Sequence, residues 1–122
     1  MSFPPEVKAA IARELEQGER ARRAGNEGQA RVCARRAVGI ALRAFWNEND
    51  LHTPSVIPLL QRLQEAEALP QALREVAGHF LMRVTPEFIL PLDIDLLAEA
   101  RWLIDELERL KSTEAADEDQ TS

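Results

Sequence analysis

In the stretch REVAGHF, residues 74–80, Arg74 and His79 stand five positions apart. A histidine exchanges a proton near neutral pH, and an arginine grips phosphate or carboxylate oxygens through a planar fork of N–H donors. Together they supply the minimum for acid–base chemistry on an anionic substrate. Five steps of about 100° on a regular helix leave the two side chains roughly 140° apart. They converge only where the helix starts irregularly or where a second subunit brings its own pair into a shared cleft. Otherwise Arg74 faces solvent and His79 flanks the edge of the core.

A second group of side chains suits anion binding. Arg31, Arg35, Arg36 and Arg43 share one arc of a helix, with Gly39 among them and no acidic residue between Gln29 and Ala44. They form two stripes that fit phosphates or an acidic partner helix. The alternative is neutralisation by the protein's own carboxylates or plain solvation. Trp46 is the one aromatic on that arc, which limits base stacking. Cys33, the single cysteine, lies on the opposite apolar arc and reads as a small core residue. No internal disulfide is available to it, and a reducing interior suits the chain. One cysteine and the separated His52 and His79 do not make up a structural zinc site, so no metal or cofactor is expected. His52 has no evident role, and Trp102 projects away from the leucine seam of its helix, as a docking surface or an edge contact would require.

These residues need helices to hold them. The 122-residue chain is 45% hydrophobic but only 5% aromatic and lacks tyrosine, so its core must be built from Leu, Ile, Val and Ala. That composition favours packed helices in one domain. Pro4 and Pro5 open a first helix with Val7, Ala10, Ile11 and Leu15 inward; Gly18 is a weak point in it. AGNEG, residues 24–28, ends it with a left-handed cap at Gly25 or Asn26. A second helix over 27–46 buries Ala30, Cys33, Ala34, Ala37, Val38, Ile40, Ala41, Ala44 and Phe45. Thr53 and Pro54 signal a third helix with Val56, Ile57, Leu59, Leu60 and Leu63, in which Pro58 makes the first turn irregular or late. A fourth starts near Leu69 and Pro70 and buries Leu73, Val76, Ala77 and Phe80. VTPEFILPLD reads as a loop, and Asp93 or Asp95 caps a last helix with a seam at Leu96, Ala100, Leu103, Leu107 and Leu110. The sequence therefore predicts an all-α, up-and-down bundle of four to five helices over residues 1–111. An acidic, disordered tail is expected over 112–122.

Charge is distributed unevenly. Residues 8–43 carry nine basic against four acidic residues, and residues 44–122 carry six against sixteen. A chain so polarised attracts a polyanion at one end or pairs with itself head to tail. The N-terminus lacks the layout of a signal peptide, and no apolar run reaches the length of a membrane span, so a cytoplasmic location with no membrane partner is expected.

The order of features resembles a known family. An Ala- and charge-rich first helix followed by ARRAGNEGQARVCARRAVGIALRAFW is similar to the opening hairpin of HEPN domains (higher eukaryotes and prokaryotes nucleotide-binding). PSVIPLLQRLQ resembles their third helix, and HFLMRVTPEF the segment leading to their last; the likeness of pattern spans roughly residues 6–110. It implies a helical bundle that commonly dimerises. Some HEPN members are metal-independent RNases with an Arg-x4-6-His motif, and others partner small nucleotidyltransferases in toxin–antitoxin pairs. Arg74 and His79 fit the motif's spacing, with Glu75 where Asn, Asp or His is usual and Phe80 near the usual tyrosine. In that role His79 would act on a ribose 2′-hydroxyl and Arg74 on the scissile phosphate. A second branch ends this helix with an Arg-Tyr-Pro-like element, which RVTPEF, through Arg83 and Pro86, resembles in degraded form and over more residues. The leading expectation is a HEPN-like, homodimeric binding or regulatory module for a nucleotide, RNA or a companion protein such as a nucleotidyltransferase. The alternatives are an RNase using Arg74 and His79, and a tetratricopeptide-like scaffold.

Overall fold

A computed structural model describes residues 3–47, 56–82 and 94–121, with side chains as far as residue 112. Five helices follow in order: α1 (Pro5–Arg23), α2 (Glu27–Phe45), α3 (Ile57–Gln64), α4 (Gln71–Leu81) and α5 (Leu96–Thr121). No strand occurs among the described residues, and no helix among them is long and apolar enough to cross a membrane. The chain forms an all-α helical bundle. Thr53 and Pro54, His52, the VTPEFILPLD loop with Arg83 and Pro86, and Asp93 lie outside the described residues.

Local chemistry sets the helix ends. Pro5 occupies the first turn of α1, where its missing N–H costs nothing. The α1–α2 turn closes as a paired C-cap: Asn26 N donates to Ala21 O at 2.8 Å and Gly25 N to Arg22 O at 2.9 Å. Gly25 takes φ +81°, a conformation without side-chain strain only in glycine. Asn26 then caps α2, its Oδ1 accepting from Gln29 N at 3.0 Å. Helix α3 starts late, at Ile57, which places Pro58 in its first turn where a proline is tolerated. Asp95 caps α5 by accepting from Ala98 N at 3.2 Å.

Three helices carry the core. Arg22, near the end of α1, meets Asp95 at the start of α5, while Lys8, near the start of α1, meets Glu108 far along α5. Lys111 of α5 reaches Asn47, just past the end of α2, at 3.4 Å. Helix α5 therefore runs parallel to α2 and antiparallel to α1. Leu96, Leu97, Ala100, Leu103 and Leu107 of α5 are buried with Ala30, Ala34, Ala37, Val38, Ala41 and Leu42 of α2. The pair α3–α4 adds Leu59, Leu60, Leu63, Leu73, Ala77 and Phe80. The small residues of α2 allow close approach, and so does Gly18, which is buried in α1. A Cβ there would lie 2.7 Å from Leu97 Cδ2 and 3.2 Å from Cys33 Cβ.

Two features of α2 and α5 differ from the periodicity reading. Leu42 and Gly39 are buried, whereas Ile40, Ala44 and Phe45 are only partly so. Val56, ahead of α3, packs on Gly39 and covers an arc that periodicity assigned to the arginines. The backbone of α5 continues to Thr121, through residues whose polarity points to a tail. That stretch contains Glu114, Ala115, Ala116, Glu118 and Gln120, all good helix formers, among weaker Ser, Thr and Asp residues.

Candidate nucleic-acid interface

The four arginines of α2 separate into two pairs. On the regular helix Arg31 and Arg35 lie within about 40° of each other on one flank, and Arg36 and Arg43 within about 20° on the outer face. Arg36 is exposed; the other three are half-buried. Between the pairs stands Val32, 37% exposed, with Arg35 and Arg36 three and four residues further on.

Arg35 is anchored by the end of α4. Its Nε donates to the Phe80 carbonyl oxygen at 3.3 Å. That carbonyl belongs to the last turn of α4 and has no acceptor role within the helix, so the guanidinium acts as a C-terminal cap. Burial first, and the charge of Arg31 second, hold the Arg35 pKa below the ordinary guanidinium value. No carboxylate among the described residues bonds to Arg35, and its two terminal amino groups take no partner there. A crowded, oriented guanidinium of this kind is relieved by any anion that docks on it.

The other sequence-expected pair is held apart. Helix α4 is regular from Gln71 to Leu81, so Arg74 and His79 keep the roughly 140° separation of five helical steps. His79 turns to α5, with Nδ1 2.8 and 2.9 Å from the two carboxylate oxygens of Glu99. A carboxylate only accepts, so Nδ1 is the donor in this contact. The pair joins the last turn of α4 to the first turn of α5, where the helix dipoles favour a cation and an anion respectively. Arg74 sits half-buried on another flank, its Nε enclosed without a hydrogen-bond partner among the described residues. The single chain thus brings His79 to Glu99 and does not bring it to Arg74.

Glu99 and Arg22 were not legible as interacting residues. Arg22 binds Glu27 (2.8 Å) and Asp95 (2.9 and 3.1 Å) at once, tying α1, α2 and α5 together. Its bonds to Asp95 and then Glu27 raise its pKa, and Arg22 in turn holds the Asp95 carboxyl below the usual carboxylate value. This arginine is a structural clamp. The partners lie 73 residues apart for Arg22–Asp95 and 20 for His79–Glu99, beyond any local spacing signal.

Other surfaces carry less. Arg62 covers one face of Trp46, its Cζ 4.1 Å from the ring centroid, above a shallow depression with Gln61 and Glu65. Between α1 and α5 a groove of ≈ 480 Å³ has an apolar floor of Ile11, Leu15 and Ile104 and charged walls. Cys33 is fully buried, and among the described residues no group of His, Cys, Asp and Glu is arranged to hold a metal. Trp102 is 40% exposed. Comparison with protein-family models, curated proteins and solved structures gives no match for this chain.

Proposed function

We propose that the protein is a HEPN-like helical bundle acting as a binding or regulatory module, with a nucleotide or RNA on the arginine face of α2 as its ligand. The supporting observation is Arg35: the α4 carbonyl orients its guanidinium, Arg31 crowds it, and its terminal amino groups are not engaged by a described carboxylate. Phosphate oxygens match that fork in geometry and charge. A homodimer, or a companion such as a nucleotidyltransferase, is the assembly the family resemblance suggests. The test is titration of the purified chain with labelled single-stranded RNA and with ATP at low and moderate salt. Binding should fall with salt, and Arg35→Ala and Arg36→Ala should each weaken it. Absence of binding at low salt would put the scaffold reading ahead.

A second reading draws on His79. Its contact with Glu99 is the kind of carboxylate–imidazole pairing that orients a general base. As an RNase the chain would need Arg74, or an equivalent cation, from a second subunit. RNA incubated with the protein in EDTA should then be cleaved, and His79→Ala should abolish cleavage. Intact RNA beside a folded protein removes the enzyme reading.

A further inference from the structure

The outer face of α2 has a candidate occupant within the protein's own sequence. Helix α5 runs parallel to α2, and Lys111 lies alongside Asn47, just past the end of α2. Ten more helical residues follow, to Thr121, and at 1.5 Å per residue they extend about 15 Å beyond that end. This extension contains Glu114, Asp117, Glu118 and Asp119 and no basic residue. The arginine face lies back along the bundle in the opposite direction, so a helix leading away from Asn47 cannot reach its own Arg35. A second copy's extension can. The stretch of α2 from Val32 to Arg43 is eleven helical steps, about 16 Å, so the two elements are similar in length and opposite in charge.

We propose that the acidic α5 extension of one copy docks on the α2 face of a second copy, on exposed Val32 and its flanking Arg35 and Arg36. A two-fold arrangement lets each copy cover the other's face and closes the assembly as a dimer. The proposal rests on the basic face of α2 being the protein's binding surface, and it adds regulation: self-association and RNA compete for one set of guanidinium groups. Attraction between such faces is steered by charge and screened by salt.

The experiment uses the full-length chain with the four acids neutralised (Glu114→Gln, Asp117→Asn, Glu118→Gln, Asp119→Asn), which preserves chain length and side-chain size. Sedimentation equilibrium at low salt should show self-association weakened roughly tenfold or more relative to wild type. Labelled single-stranded RNA should bind the neutralised chain more tightly than wild type. A second variant, Arg35→Ala with Arg36→Ala, should lose self-association as well. Mixing it with the neutralised chain should restore a heterodimer through one contact, since one partner keeps its acids and the other its arginines. Unchanged association after neutralisation, or a wild-type chain that stays monomeric at its highest soluble concentration, overturns the proposal. So does tighter RNA binding of the neutralised chain with no change of assembly, because the extension then acts within one copy. If neither chain binds RNA, the binding reading fails, while sedimentation still decides whether the extension docks.

Discussion

Gly18 offers a quantitative test of how the three core helices meet. Gly→Ala inside a helix ordinarily stabilises by about 1 kcal/mol, because alanine gives up less backbone freedom. At Gly18 the added methyl carbon would stand 2.7 Å from Leu97 Cδ2 and 3.2 Å from Cys33 Cβ, against a comfortable carbon–carbon separation of about 3.5–4.0 Å. Leu97 is 1% exposed and cannot swing into solvent, and the Cys33 Cβ is fixed to its backbone. The helices must therefore part, at an overpacking cost of about 1–3 kcal/mol. Gly28 is the internal control: a Cβ there meets only Asn26 Oδ1, at 3.7 Å. The same chemical change should raise stability at Gly28 and lower it, or at best leave it level, at Gly18. Subtracting one from the other removes the shared propensity gain and leaves the packing cost, about 1–3 kcal/mol. Urea unfolding followed by far-UV circular dichroism measures both variants, and thermal midpoints should differ by roughly 4 °C per kcal/mol. If Gly18→Ala stabilises as much as Gly28→Ala, the close approach of α1 to α2 and α5 is wrong.

Two further substitutions test the polar contacts. Arg35→Met keeps the apolar stem but leaves the Phe80 carbonyl uncapped, and should cost about 1–2 kcal/mol in urea unfolding, against a change within about 0.5 kcal/mol for exposed Arg36→Met. An equal effect of the two would remove the capping role. Asp95→Asn retains a helix cap but loses the charge paired with Arg22. Because Arg22 lowers the Asp95 pKa in the folded state, the stabilisation is complete above the unfolded carboxyl value and is lost as pH falls through the lower folded one. The stability gap between wild type and Asp95→Asn should therefore be present at pH 7 and close in acid below that range. It should be small, since both groups are partly exposed, and a gap that widens on acidification would contradict the sign.

Much of the bundle was legible in short windows of sequence. Apolar residues three and four apart marked all five helices, because a helix repeats every 3.6 residues and only one face can be buried. The chemistry of helix ends is equally local: Gly25 and Asn26 at the first turn and Asp95 at the start of α5 act on backbone groups within a few residues. The arginines of α2 could likewise be recognised as a charged face from spacing alone. Local rules also erred in identifiable ways. Gly39 is buried because Val56 packs on it, and Gly18, a weak point by propensity, is a place where three helices pack too closely to admit a Cβ.

The sequence by itself therefore determined that five segments carry helices, where most of them begin, and that one region is basic and another acidic. It could not determine which side chains meet. Tertiary packing decided that Arg22 clamps Asp95, that Arg35 caps α4 and that His79 faces Glu99 and not Arg74. The physical reason is separation: helical periodicity acts over a turn or two, whereas these partners lie on different helices, 20 to 73 residues apart along the chain. Only the rotation and approach of each helix, set by burial of the whole core, bring them within hydrogen-bonding distance.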